Sequence, residues 1–429
     1  MLNHKHPNIV IFRFTYLKMA QPQDVTKESL LDISTGLRTN LQAFAQKQDL
    51  HTKVEKNFDK SKNQHVNELE ELAKLAKLIK AHTTKLGILL SKFGESTKVD
   101  QKKNTVEQDL KKLGAPLLTE ITDLNSSVWY LLSLLHLIHA NTISSSLSKE
   151  KLPKGKNCYP KVYADAIDEN VLYLVQNVEE LISIVQRLLA NDTNEQKTID
   201  EISQQRLISV GKIWASCDKL VALSLSIPKV IIDYINSVTM KLLSDTLVEI
   251  EEWLEDPTLE DLDDPFGLDY TDEEESESDN ETHTGTKDAP SPEMIEFMEL
   301  WNTKIRLIKL LMNSLKLSLT KATSSTGTAN SANTNVSGLP AKMCLHLQII
   351  YELQKQITLN VDDLISTVFM SNNKDFVDPM KDEDIKNMIT ELNENILVKI
   401  CNTVIALNTD SAKSEDTKKW IATWKSKYF

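Results

Sequence analysis

Apolar residues recur along much of this chain at alternating intervals of three and four. Within 63–95, Leu69, Leu72, Ala76, Ile79, Thr83, Leu86, Leu90 and Phe93 are spaced 3, 4, 3, 4, 3, 4 and 3. That rhythm follows one stripe of a helix, because 3.5 residues is close to one turn. Leu75 and Leu78 widen the stripe, so this helix is expected to touch more than one neighbour. A weaker stripe of Leu30, Ile33, Leu37, Leu41 and Phe44 predicts an earlier helix over 24–58. Gly114, Ala115 and Pro116 form a breaker that is expected to open the next helix, over 117–147. Its run from Val128 to Leu135 is apolar nearly all round, the pattern of a central bundle helix.

Further along, a loop is expected near Leu152–Gly155. A helix from Val171 to about Asn191 follows, then another from Ile199 to about Leu225. Pro228 stands where a first-turn proline belongs, with a helix predicted from there to about Glu255. After an interruption, Pro290, Ser291 and Pro292 open a second helical region. Met294, Met298, Trp301, Ile305, Ile308, Met312, Leu315 and Leu319 step 4, 3, 4, 3, 4, 3, 4. Residues 322–338 are rich in Ser, Thr, Asn and Gly and read as a flexible loop. Two more helices are predicted over about 340–370 and 379–409, the second with Asp378 as N-cap and Pro379 in its first turn. A short end piece carries Trp420 and Trp424.

The predicted fold class is therefore all-α. An N-terminal bundle over 24–255 and a C-terminal bundle over 290–429 are joined by a disordered acidic linker over 256–289. Residues 1–23 are expected to be unstructured, with Met19 as the working start. Composition agrees. Gly is 10 and Pro 12 of 429 residues, too few for the tight turns of sandwiches, barrels or doubly wound α/β folds. Neither GxGxxG nor GxxxxGK[ST] occurs, so no phosphate-cradling loop is expected.

Charge sharpens the domain reading. Between Lys241 and Lys287 there is no Lys or Arg, and the gap holds 18 Asp and Glu residues; setting these aside turns the net −13 of the chain into +5 elsewhere. The acidity belongs to one segment, which cannot build a core. The rest is nearly balanced, and no nucleic-acid surface is expected. No apolar run approaches the roughly 18 residues that span a bilayer, so no membrane partner is expected either. Within the acidic segment, Thr271, Ser276 and Ser278 each precede an acid by three residues, namely Glu274, Asp279 and Glu281. That arrangement suits acidophilic kinases and makes the three residues phosphorylation candidates.

Catalytic chemistry finds little support. His136 and His139, three apart on a helix, could share a metal, but no Asp or Glu stands near them in sequence. The expectation is two polar interruptions of a buried helix. His346, near Cys344, reads as a helix-surface residue. No His has Glu three residues before it, so the ExxH pattern of di-iron bundles is absent. Cys158, Cys217, Cys344 and Cys401 form no CxxC pair, which suits a thiol-reducing compartment and core roles. No enzyme, cofactor or metal is expected.

Several segments resemble the cyclin-D-interacting (GCIP-type) family. They are the stretch from Ser209 to Cys217 containing Trp214, followed by Ile227, Pro228 and Lys229. Others are the acidic helix end from Glu249 to Pro257, the turn from Asp264 to Leu268, and Val361–Leu364 with its paired aspartates. Val128–Leu132 is similar to that family's N-terminal aromatic-leucine helix. Together they span most of 60–410 in order. The resemblance implies an all-helical, non-catalytic regulator of cell-cycle or transcription partners, acting through protein contacts in cytoplasm and nucleus. The insertion at 322–338 and an extra N-terminal helix depart from the family, which puts cyclin D itself in question as the partner. A rival reading is a cytoskeletal scaffold of helical bundles, like vinculin or talin. The 69–93 stripe fits either a zipper with a second chain or a bundle core, and the neighbouring helices favour the core.

Overall fold

A computed structural model describes residues 25–45, 67–95, 105–143, 157–190, 196–257, 290–326, 338–370, 378–408 and 414–429. The chain is all-α, and it forms two compact units. The first comprises Met1–Val230 and Ser331–Leu345, the second Ile231–Asn330 and His346–Phe429.

Five long helices build the first unit: α1 (Lys27–Ala45), α2 (Glu68–Glu95), α3 (Thr105–Ala140), α4 (Lys161–Ala190) and α5 (Gln196–Leu225). Helix α2 packs on α3 and α5, α4 on α5 and α3, and α1 on α4 and α3. Helix α1 thus covers the α3/α4 side, and α2 and α5 form the side away from it. Helices α1 and α2 start with side-chain caps. Thr26 Oγ1 accepts the Ser29 amide at 3.2 Å and Asn67 Oδ1 the Glu70 amide at 3.3 Å, satisfying donors that the first turn leaves unpaired. The α2 stripe is buried within this unit: Leu72, Ala76, Ile79, Thr83, Leu86 and Leu90 all lie in the core. It is bundle core, as the spacing predicts. Leu78 is exposed instead of widening the stripe.

Helix α3 corrects the expected start at 117. It begins at Thr105 and runs through Pro116. Leu110, Leu117, Ile121 and Leu124 are buried along one face, whereas Lys112 and Pro116 face solvent. The carbonyl that loses its partner to the proline is that of Lys112, on the wet side of the helix, while burial on the other side holds the turn.

Short strands that the periodicity gave no sign of close one end of the unit. They are β1 (Thr142–Ile143), β2 (Asn157–Pro160) and β3 (Leu339–Pro340). Strand β1 pairs in parallel with β2, and β2 antiparallel with β3, Cys158 opposite Leu339. Gly338 enters β3 at φ 88°, a left-handed conformation natural to glycine. Behind the strands Cys344 donates its Sγ–H to the Cys158 carbonyl at 3.0 Å.

The second unit begins partway along α6 (Lys229–Tyr234), which continues through a π turn, Ile235–Thr239, into α7 (Met240–Glu255). Then come α8 (Pro292–Thr326) and α9 (Ala341–Met370), whose residues from His346 onward belong here. A 3₁₀ turn, Pro379–Lys381, leads to α10 (Glu383–Thr390), a π stretch, Glu391–Leu397, α11 (Val398–Leu407) and α12 (Ser414–Tyr428). Ser291 Oγ caps α8 by accepting the Met294 amide at 3.1 Å. Every residue of the predicted α8 stripe is buried, from Met294 to Leu319. Helix α8 runs on to Thr326, into the segment expected to be a loop. Asp378 caps the 3₁₀ turn, and Asp382 caps α10, accepting the Asp384 and Ile385 amides at 2.8 and 3.1 Å. The end piece is pinned to α8: Trp424 Nε1 donates to the Leu307 carbonyl at 2.8 Å, and Lys304 Nζ sits 4.6 Å from the Tyr428 ring centre.

The compact units part at Val230/Ile231, whereas the sequence reading placed its boundary at 256–289. Helix α7 belongs to the second unit through its packing on α8. A short break around Ile227 and Pro228 is inconspicuous in composition beside the acidic stretch. Residues 1–24, 258–289 and 327–337 lie outside the described residues.

Candidate functional site

Each chemically suggestive side chain from the sequence can be placed first. His136 is buried on α3. His139 Nε2 lies 2.8 Å from Asp168 Oδ2 on α4, so its partner is a carboxylate 29 residues on, reached through the bundle. A second such pair, His82 Nδ1 and Glu120 Oε2 at 2.8 Å, joins α2 to α3, and Lys85 Nζ reaches the other Glu120 oxygen at 3.2 Å. Sequence reading missed these pairs because helix spacing says nothing about which helices become neighbours. Among the described residues no three His, Cys, Asp or Glu side chains converge as a metal set.

All four cysteines are buried and reduced. Burial, seconded by the Asp218 carboxylate, pushes the Cys217 thiol up to about 12 against the opposing pull of Lys80. Burial also pushes Cys344 up to about 12 and Cys401 to about 11. These thiols stay protonated at neutral pH, and a protonated thiol is a poor nucleophile. The phosphorylation candidates Thr271, Ser276 and Ser278 lie outside the described residues.

The segment from Ser209 to Cys217 is more informative. Ser209, Val210, Ile213 and Cys217 point into the first unit, whereas Gly211, Trp214 and Ala215 face outward. Leu207, Gly211 and Trp214 stand at i, i+4 and i+7, one line along the outer side of α5. Leu207 is 64% exposed, Ile208 47% and Trp214 37%. Across the seam α2 runs antiparallel. Lys80 Nζ holds Asp218 Oδ1 at 2.7 Å and lies 5.8 Å from the Trp214 ring centre. A Cβ built on Gly87 would come within 3.1 Å of Val210 Cγ2. These contacts set the register and bring Ile88, 52% exposed, alongside the Leu207–Val210 turn.

The seam is therefore apolar, and its surroundings are cationic. From Leu72 to Gly94, α2 carries five lysines and no acid, and from Ile202 to Cys217, α5 carries Arg206 and Lys212 and no acid. Glu120 and Glu180, from α3 and α4, meet Lys85 and Lys212 on the flanks. A Cβ at Gly211 would meet nothing within 4 Å. Among the described residues no packing demands that glycine, and a helix-interior glycine costs about 1 kcal/mol relative to alanine.

The opposite seam, between α1 and α4, is an open cleft of ≈ 650 Å³. Its polar groups serve one another. Arg38 Nε donates to Glu179 at 2.6 Å and Nη1 to Gln186 at 3.1 Å, Gln42 donates to Glu179 at 2.9 Å, and Gln186 to Thr35 at 2.9 Å.

Fold and surface thus describe an all-α protein that carries, among its exposed surfaces, an apolar line flanked by lysines. The family model described as Grap2 and cyclin-D-interacting, N-terminal, matches residues 161–256, from the start of α4 to the end of α7. An uncharacterized protein of Saccharomyces cerevisiae is 30% identical over 359 residues, which cover 84% of this chain and 85% of that protein. No solved structure matches. The chain belongs to the Grap2 and cyclin-D-interacting family.

Proposed function

We propose that this protein is a non-catalytic regulator that acts by binding other proteins. Its partners in this reading are cell-cycle or transcription regulators met in the cytoplasm and nucleus. The family's description names Grap2 and cyclin D as what its members bind. The observation that carries the reading in this chain is the α2/α5 seam. Leu207 and Trp214 present apolar side chains to water along one line of α5, with Ile88 alongside on α2, and contiguous exposed apolar surface of this kind marks interaction sites. Thr271, Ser276 and Ser278 are proposed as sites where an acidophilic kinase tunes those contacts, each phosphate adding about −1.5 to −2 charge.

Affinity purification of the full chain from growing cells tests the proposal. Recovery of cyclins, their kinases or nuclear factors is the expected outcome. Recovery of actin-binding proteins in their place would contradict it in favour of a vinculin-like scaffold.

A further inference from the structure

We propose that the α2/α5 seam is the docking surface for an acidic amphipathic helix of a partner protein. This deepens the reading above and rests on it, since it supposes that the protein works by protein contacts. The partner lays its apolar stripe along Ile88, Leu207 and Trp214 and turns its carboxylates toward the flanking lysines.

Three observations converge on this occupant. The first is shape. Two antiparallel helices leave a shallow groove between them, and a third helix fits such a groove through anchors at i, i+3, i+4 and i+7. Gly211 lies on the groove's outer wall with open space above it. The missing side chain lets a partner's backbone come close, which is what glycine supplies where helices approach one another. The second is the apolar line itself, whose exposed side chains sit at helix spacing on α5 and continue to Ile88 on α2. The third is charge complementarity. Over Leu72–Gly94 of α2 and Ile202–Cys217 of α5 the walls carry no acid, Asp218 just beyond is held by Lys80, and Lys77 and Lys92 are exposed on the outer face of α2. A basic or neutral helix would leave these cations unanswered; an acidic one pairs them and gains speed of encounter.

Charge also decides against the nearest alternative. A second copy docking through the same face would set one lysine-rich wall against another, because a two-fold interface is self-complementary.

The test uses the full chain and a designed peptide of about 20 residues, roughly 30 Å of helix, with Leu on one face and Glu on the other. A twin carries Lys for every Glu. Fluorescence anisotropy measures binding to the wild type, to Gly211→Glu and to Trp214→Glu. Thr35→Glu, in the α1/α4 cleft, serves as control. Circular dichroism melts confirm that each variant is folded, and Gly211→Glu is built where nothing crowds it. The acidic peptide is expected to bind the wild type and Thr35→Glu at least ~10-fold more tightly than its Lys twin. Both seam variants are expected to lose ~10-fold, and rising salt is expected to weaken the contact. Equal affinity for the two peptides, or undiminished binding by folded Gly211→Glu, overturns the proposal. So does binding that appears only after deletion of 258–289, which would make the chain's own acidic segment the occupant. A wild-type dimer that Gly211→Glu converts to monomer in sedimentation would assign the face to a second copy, again against the proposal. If the peptide fails while purification of the wild type still recovers regulatory partners, this surface is wrong and the interaction function stands.

Discussion

The two long seams of the first unit are built from similar helices and treat water in opposite ways. Between α1 and α4, Arg38, Gln42, Glu179, Gln186 and Thr35 hydrogen-bond across the cleft. These five side chains are one another's partners. Between α2 and α5, the ion pair Lys80–Asp218 stands beside a line of exposed apolar side chains with a glycine among them. The first seam is finished by the chain itself. The second keeps its apolar surface in water, where burial by a partner releases roughly 25 cal/mol per Å². The lesson is that polarity alone does not mark a binding face: the more polar seam is the self-contained one.

The largest effect expected lies beneath the second seam. Leu86 is fully buried on the inner side of α2, so Leu86→Ala is expected to cost about 3 kcal/mol in urea unfolding. Trp214→Ala, on the outer side of the partner helix, is expected to cost less, about 1–2 kcal/mol, for the part of the ring packed against the seam and under Lys80. A large loss from Trp214→Ala would mean that the outer line is structural.

Alkali separates the seams next. Cys217 lies under the α2/α5 seam with its thiol pushed from 9.0 up to about 12. Folding favours the protonated thiol, so its contribution is complete below about pH 9 and is lost as pH rises toward 12. The residues lining the α1/α4 cleft include no Cys, Lys or Tyr. Urea midpoints are therefore expected to fall between pH 9 and 11, and the fall to be shallower in Cys217→Ala. An identical pH slope in that variant would remove Cys217 from the account.

The two seam glycines are expected to respond oppositely to one substitution. Gly87→Ala places a Cβ against Val210. Crowding of about 1–3 kcal/mol outweighs the helix-propensity gain of about 1, for a net loss of about 1 kcal/mol. Pairing it with Val210→Ala relieves the crowding, which a double-mutant cycle reads as coupling. Gly211→Ala meets nothing and is expected to stabilise by about 1 kcal/mol. In the α1/α4 cleft, Arg38→Ala is expected to cost about 1 kcal/mol or less, because the ion pair is partly exposed. Stabilisation by Gly87→Ala would show that the two helices are not pressed together there.

Much of the helical frame was legible from spacing. The stripes Leu72–Leu90 and Met294–Leu319 are core because a 3-4 rhythm has few other uses in a chain this poor in Gly and Pro. Helix α3 was cut short in the reading because Pro116 looked like a start signal, and only the burial of Leu110 on the far face reveals why the helix continues. The strands are too short, at two to four residues, to carry a period. The candidate surface was half legible. The stretch from Ser209 to Cys217 stood out, yet nothing in the spacing marks Leu207, Ile208 and Trp214 as exposed, since a sequence does not say which apolar residues a neighbour covers. The His139–Asp168 pair was invisible for the same reason.

The central claim is that the α2/α5 seam, and not the α1/α4 cleft, receives an acidic helix. Site-specific photo-cross-linking tests it most directly, with a benzophenone side chain placed at 211 or, for comparison, at 35 of the full chain and the acidic peptide added at equal concentration. The account predicts adducts from position 211, lost when the Lys twin replaces the peptide, and none above background from position 35. Equal adducts from both positions, or adducts from 35 alone, would contradict it.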